Sequence, residues 1–368
     1  MTSLLTAFFF SGRFNVTTRT PSSTSTSTAG SDIGPPRDRC ARGARDGKVA
    51  WPARRLGRKL RRAARSYAHM STLTRLLENL PRVSAMRAGP LPSALAELDR
   101  ELAQRLARAP LRLNAFGYDP YGFHPETARR MLLPSALLYR HYFRVEPHDI
   151  QRVPAGRVLL VGNHAGQFGY DGVMLGMAML LAAEPPRIVR GMGEYFLFRT
   201  PGMAWAGPRM GMVVGTPANC VAMLEADECV AVFPEGARGA NKPFHERYRL
   251  KPFGTGFLRI ALETDTPIVP VAIIGSEEQQ PGIANLERFG RLLNLPSFPI
   301  TISMPWFGPL GAMFALPVKY RIHFGEPLRF EGEATDEDEA VEAKVEVVRA
   351  AIADLIERGL RERTGVFR

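Results

Sequence analysis

The sequence predicts an α/β fold: a mixed, largely parallel sheet flanked by helices, with an N-terminal helical segment ahead of it. Three observations carry that expectation. From residue 153 onward, short β-rich runs alternate with helical ones, the order that builds a sheet with helices packed on it. The runs are near-continuously apolar, as strands covered on both faces are. Upstream, leucines recur at helical spacing, which sets a helical stretch apart from the alternating region.

In chain order, Leu95, Leu98, Leu102 and Leu106 behind Pro92-Ser93 predict an amphipathic helix. A second helix is expected over about 125–143, with Pro134 as its kink or break. Strands are expected at VLLVGN (158–163), RIVRG (187–191), MGMVVG (210–215), CVAVFPEG (229–236), PIVPVAIIG (267–275) and YRIHFG (320–325). Helices are expected at about 172–183, 217–226 and 254–265. A last helix follows Thr335 and Asp338, which form a capping-box-like start, and its stripe of Val341, Val345, Val348, Ile352 and Leu355 reads as structural. The domain reading is a basic Ser/Thr/Arg-rich disordered extension over 1–70, an N-terminal helical segment over 71–150, and the main domain with its C-terminal helix over 151–368.

The formal net charge is +12, yet residues 1–70 hold 14 of the 48 Lys and Arg against 3 of the 36 Asp and Glu. The rest of the chain therefore carries 34 against 33 and is close to neutral. That removes the main support for a nucleic-acid face on the folded part, and residues 37–65 lack the interleaved aromatics a nucleic-acid-binding arm would use. Residues 17–30 are too polar to bury a core. Three readings of the arm stay open: a disordered extension upstream of a start at Met70, a basic anchor for an anionic membrane, or a targeting peptide.

Three cysteines, Cys40, Cys220 and Cys229, without a CxxC or Cys/His ligand spacing, argue against a metal site or a disulfide scaffold and for a reducing compartment. No charge-free run of about 18 residues is uniformly apolar, and 300–317, which is near that length, is broken by Pro305, Pro309 and two glycines, so a spanning helix is not expected. The opening MTSLLTAFFFSGR lacks a basic start and a small-residue cleavage site, and is a poor secretory signal.

Chemistry concentrates in two segments. In VLLVGNHAGQFGYDGVMLG (158–176) an apolar strand ends at Gly162-Asn163, His164 follows, and Asp171 stands at the expected N-cap of the next helix. Functional groups of open α/β sheets gather at such strand ends. A His beside a carboxylate suits general-base work, because the carboxylate fixes the tautomer and stabilises the imidazolium. A capping Asp and a His that merely close a loop would read the same way. In VFPEGARG (232–239) a second apolar strand runs into Glu235, Gly236 and Arg238. A carboxylate and a guanidinium there suit a polyol hydroxyl and a phosphate, or else form a surface ion pair. No G-x-S-x-G occurs, so a serine-hydrolase elbow is excluded.

Taken together and in order, NH…D followed by FPEG-x-R resembles the phospholipid/glycerol acyltransferase family, whose best-known members acylate lysophosphatidic acid. Gly211 to Thr216 falls where the family has its second motif, and Thr266-Pro-Ile-Val-Pro-Val271 resembles the fourth. The resemblance covers about 153–330 and departs from the pattern at three points. Six residues separate His164 from Asp171 where four are usual, and Gly166 and Gly169 are expected to let the extra two loop out. Gly215-Thr216 stands where an arginine usually ends the second motif, which weakens a phosphorylated acceptor. Ala237 and Gly239 replace the usual Thr and Ser.

The resemblance implies a 1-acylglycerol-3-phosphate-acyltransferase-like enzyme that carries an acyl group from a thioester to a glycerolipid hydroxyl. His164 would be its base, Asp171 its orienting carboxylate, and Glu235, Gly236 and Arg238 its acceptor site. It implies no cofactor beyond a coenzyme A or carrier-protein thioester as substrate, and peripheral association with the cytoplasmic face of a membrane. Asn163, Arg199, Arg209 and Lys251 are weaker candidates for substrate contacts. Residues 300–317 carry no charge and include Trp306, Phe307, Met313 and Phe314. They read either as a core-filling loop or as a membrane-dipping loop or acyl-chain wall, and 195–212 has the same texture. The rival functional classes are a non-catalytic lipid-binding protein on the same fold and an acyltransferase for an uncharged acceptor, a diacylglycerol or a long-chain alcohol.

Overall fold

The computed structural model describes residues 93–368 apart from 166–168, 196, 200–201, 241, 286–298, 302, 305–307, 309–310 and 312–313. The basic arm, the expected start of order near residue 72, Gly166, Trp306, Phe307 and Met313 lie outside the described residues.

The first two helices are α1 (Ser93–Arg108) and α2 (Pro125–Leu137). His124 caps α2, its Nδ1 accepting from Thr127 N (3.2 Å), and Pro125 supplies a first-turn residue with no orphan N–H. The helix runs through Pro134 rather than ending there, then widens into a π turn at Leu138–Tyr142. The sheet region follows as β1 (Glu146–His148), β2 (Val158–Gly162), α3 (Tyr170–Leu181), β3 (Val189–Gly193), α4 (Met203–Arg209), β4 (Met212–Val214), α5 (Pro217–Glu225) and β5 (Cys229–Val232). It continues with a short α6 (Ala237–Ala240), α7 (Gly256–Glu263), β6 (Ile268–Ile274), a hairpin of β7 (Gly282–Asn285) and β8 (Pro299–Thr301), β9 (Arg321–Phe324) and α8 (Asp338–Glu362).

Seven strands form one sheet in the order β1-β9-β6-β2-β5-β3-β4. Every neighbouring pair is parallel except β6 and β9, so β9 and β1 run against the other five. The fold class expected from the sequence is the one observed. Elements not expected from the sequence are β1, whose Glu-Pro-His carries no strand signal, the separate β7–β8 hairpin, and the short helices α4 and α6.

Alternation along the strands divides the core between the two faces of the sheet. Val158 and Leu160 of β2 join the cluster containing Leu102, Ala128, Met174 and Ala178 of α1 to α3. Leu159 and Val161 join the cluster containing Met223, Leu258, Val348 and Ile352 of α5, α7 and α8. The α8 stripe is buried as expected, and Asp338 and Glu339 lie in its first turn, favourable for the helix dipole. Its start differs from the expected capping box. Glu337 is the cap residue, and Thr335 Oγ1 bonds the Glu333 carboxylate (3.2 Å) instead of a helix amide.

For function the decisive feature is that β2 lies between β6 and β5, parallel to both. Val161 is in register with Val232 and with Pro270, so β2 and β5 end together while β6 runs on beside β9 to Ile274, all three at the same end of the sheet. The segments beginning at Asn163, Phe233 and Gly275 are thereby brought together.

Candidate active site

His164 is buried in the turn after β2, and its Nδ1 lies 2.7 Å from Asp171 Oδ2. That same oxygen accepts the Ala165 N–H (2.8 Å), and Oδ1 accepts the Gly172 N–H (2.8 Å). A carboxylate oxygen already accepting a backbone N–H fits an Nδ1 that donates, which leaves Nε2 as the basic nitrogen of the ring. The imidazole packs on Phe233 at 4.8 Å between ring centroids, which further fixes its plane.

The six-residue spacing is thus accommodated. The expected cap position of Asp171 is taken by Gly169, whose φ of 61° lies in the left-handed region that glycine adopts without a Cβ penalty. Asp171 becomes the second residue of α3, with its carboxylate turned back over the helix start toward His164. A carboxylate at a helix N-terminus is also favoured by the helix dipole.

Beneath the His164 turn lies a buried polar network. Glu235 Oε1 accepts the His164 backbone N–H (3.0 Å) and Oε2 accepts the Lys251 N–H (2.8 Å). Lys242 Nζ sits 3.1 Å from Glu235 Oε2 and 3.0 Å from Glu277 Oε1. Burial alone would lower the Lys242 pKa, but the Glu277 and Glu235 carboxylates outweigh it and raise it. Burial raises the pKa of Glu277, against the pull of Lys242. Asn163 completes the ring. Its Oδ1 accepts the Ile273 N–H (2.8 Å), while its Nδ2 donates to Ile273 O and Glu277 Oε1 (both 3.2 Å), extending the β2–β6 pairing through a side chain.

Of the residues singled out from the sequence, His164, Asp171, Asn163 and Glu235 meet in this one place, with Lys251 joined through its backbone. Gly236 closes the turn after Phe233, its N–H donating to Phe233 O (2.9 Å). Gly239 answers a packing demand. A Cβ there would stand 2.6 Å from that of Glu235, so the residue that replaces the usual Ser makes room for the buried carboxylate. Arg238 is exposed and donates to Pro252 O (3.1 Å). The Lys251 ammonium pairs with Glu246 (2.6 Å). Arg199 is exposed beside the Tyr195 ring, and Arg209 lies over the rings of Tyr118 and Trp205.

Lys242 and Glu277 were not found by motif reading. A signal existed: SEEQQ (276–280) directly follows a long apolar strand, and all five of its residues are buried.

A cavity of about 350 Å³ opens beside the start of α3. Its walls include Met131 and Leu132 of α2, Gly172 and Gly176 of α3, and Gly211 and Met212 at β4. The lining is apolar apart from Ser135 and Arg187. Among the described residues no group of three or more His, Cys, Asp or Glu could hold a metal ion, and no helix is long and apolar enough to cross a membrane.

Residues 144–274, which span β1 to β6 and the whole His164–Glu235 region, match the family model described as Acyltransferase. An uncharacterized protein of Mycobacterium tuberculosis is 36% identical over 285 residues, covering 75% of this chain and 78% of that protein. The chain belongs to the phospholipid/glycerol acyltransferase family. Membership places it among acyltransferases of lipid metabolism. A chicken protein named "DGAT1/2-independent enzyme synthesizing storage lipids" is 26% identical over 201 residues, 54% of this chain and 56% of its own. Among solved structures, the 1-acyl-sn-glycerophosphate acyltransferase PlsC of Thermotoga maritima is similar at 16% identity and a TM-score of 0.42, over 81% of this chain and 90% of that one.

Proposed function

We propose that this acyltransferase moves a fatty acyl group from a thioester donor, coenzyme A or a carrier protein, to a hydroxyl of a glycerolipid, with His164 as general base. The observation that carries the reading is the buried His164–Asp171 pair at 2.7 Å, held where the central strand β2 ends. In this mechanism the acceptor oxygen attacks the thioester carbonyl carbon while its proton passes to His164 Nε2. The tetrahedral intermediate collapses, the C–S bond breaks, and the imidazolium returns the proton to the departing thiolate. Asp171 keeps Nδ1 protonated and stabilises the imidazolium. The apolar cavity, which begins at the residue after Asp171, would take the acyl chain.

A second reading of the acceptor is favoured by a specific observation. Glu235 spends its carboxylate on His164, Lys251 and Lys242, and Arg238 is engaged with a backbone carbonyl. Those commitments suit an uncharged acceptor, a diacylglycerol or a long-chain alcohol, at least as well as a lysophosphatidate. The name of the chicken relative, a synthesiser of storage lipids, points the same way.

Peripheral membrane association goes with this reading. Phe116 (82% exposed), Tyr195 (67%) and Trp205 (54%) present apolar rings to solvent, and Arg209 bridges the rings of Tyr118 and Trp205. Aromatic rings of this kind favour the headgroup level of a bilayer, where arginines meet phosphates.

The test is thiol release from acyl-coenzyme A in the presence of lysophosphatidate, diacylglycerol or a long-chain alcohol. His164→Ala is expected to lose about 10²–10⁴ in rate, and Asp171→Asn less. A well-folded His164→Ala that turns over like wild type sinks the mechanism, and the acceptor that supports turnover decides between the two readings.

A further inference from the structure

Lys242 follows α6 in a loop, yet its side chain is only 3% exposed. An ammonium has three protons to place, and here each has an acceptor: Glu277 Oε1 (3.0 Å) and, more distantly, Arg249 O (3.4 Å) and Glu235 Oε1 (3.5 Å), with Glu235 Oε2 also at ion-pair distance (3.1 Å). Both carboxylates are buried and also bind the site's backbone and side-chain amides. Glu235 holds the His164 N–H, and Glu277 holds Asn163 Nδ2 (3.2 Å) and the Tyr248 N–H (2.6 Å). The path His164–Glu235–Lys242–Glu277–Asn163 therefore starts and ends on two consecutive residues. It clamps the turn that carries the imidazole to the ends of both flanking strands.

The charges make Lys242 the keystone of that clamp. Two buried carboxylates share one buried ammonium, and the remaining donors to them are neutral. Without the ammonium, two like charges would face each other away from water. One of them would have to take up a proton or swing out. If Glu235 moved, the His164 amide would lose its acceptor and the imidazole would shift against Asp171. Displacements of about 1 Å at a catalytic group cost on the order of 10²-fold in rate.

We propose that Lys242 is a positioning residue: by joining Glu235 to Glu277 it fixes the Asn163–His164 turn from which the base projects. The proposal rests on the reading of His164 as base.

The experiment compares full-length Lys242→Met, Glu277→Gln and the double variant Lys242→Met/Glu277→Gln with wild type and His164→Ala. The readouts are steady-state acyl transfer and the thermal midpoint. Lys242→Met is expected to lower kcat by about 10²-fold with the donor KM nearly unchanged, and to lower the midpoint. Adding Glu277→Gln removes one of the two uncompensated charges, so the double variant is expected to recover part of both losses. A lysine that merely fills space predicts the opposite, a double variant worse than either single one, and that result overturns the proposal. So does a Lys242→Met enzyme with wild-type kcat. If Lys242→Met is insoluble, the double variant is expected to be soluble, and insolubility of both overturns it as well. If His164→Ala keeps wild-type turnover, the base assignment fails and the positioning role with it. The midpoints, which need no turnover, then decide only whether Lys242 balances the carboxylates.

Discussion

Gly176 offers a direct probe of where the acyl chain goes. It lies on α3 in the wall of the 350 Å³ cavity, and a Cβ built on it meets no heavy atom within 4 Å. A larger side chain at this position would therefore enter the cavity rather than collide with the fold. Gly176→Leu also replaces a helix-interior glycine with a good helix former, worth roughly 0.8 kcal/mol in propensity, so the variant is expected to fold. Its four added carbons would displace about three methylenes of a long acyl chain. At about 0.8 kcal/mol per buried methylene the loss is roughly 2.4 kcal/mol, or on the order of 60-fold in kcat/KM for long-chain donors. Short-chain donors, which would not reach that depth, should be nearly unaffected. The assay is kcat/KM across a series of acyl-coenzyme A chain lengths for wild type and Gly176→Leu. A uniform loss across the series, or an unchanged profile, would refute the assignment of this cavity to the acyl chain.

Two further outcomes are expected. His323 is buried in β9 against His148, with ring centroids 4.4 Å apart, and near Arg358; burial first, then these neighbours, push its pKa down from 6.5 to about 4. The unfolded chain therefore binds this proton more readily than the folded one, so stability is lost as pH falls from about 6.5 toward 4. The thermal midpoint should decline across that window and His323→Gln should flatten the decline; an unchanged slope would remove His323 as its source. On the proposed membrane face, Phe116→Ser/Trp205→Ser should reduce liposome co-sedimentation in high salt, where apolar insertion survives and charge attraction is screened. Binding that disappears in high salt for wild type and variant alike would assign the attachment to charge.

Much of this molecule could be read from sequence because the physics involved is local. Strand runs such as VLLVG and IVPVAII announce a sheet covered on both faces, and the valine-rich stripe of α8 announces its buried side. His164, Asp171 and Glu235 stood out because strand-end residues of those types follow apolar runs. Detail at element ends was less legible. Asp171 occupies the second helical position rather than the cap, because a left-handed Gly169 ends the turn one residue earlier than the side chains suggest. Glu337 begins α8 although Thr335 has the better capping chemistry.

The sequence by itself determined the class of sheet, the order of its elements and the identity of the His and Asp that meet. The first two follow from periodicity, and the His–Asp pair from the resemblance of the NH…D and FPEG-x-R segments, taken in order, to the acyltransferase family. Tertiary structure alone decided that β9 turns antiparallel to β6 and brings β1 with it, since a three-residue strand has no pattern of its own. It also decided the environment of His164. Glu277 bonds Asn163 across 114 residues of chain, and Lys242, on the same segment as Glu235, meets Glu277 because β5 and β6 both flank β2 in parallel. A buried ion network is a property of the space where strands end, and no local pattern in the chain encodes who will occupy it.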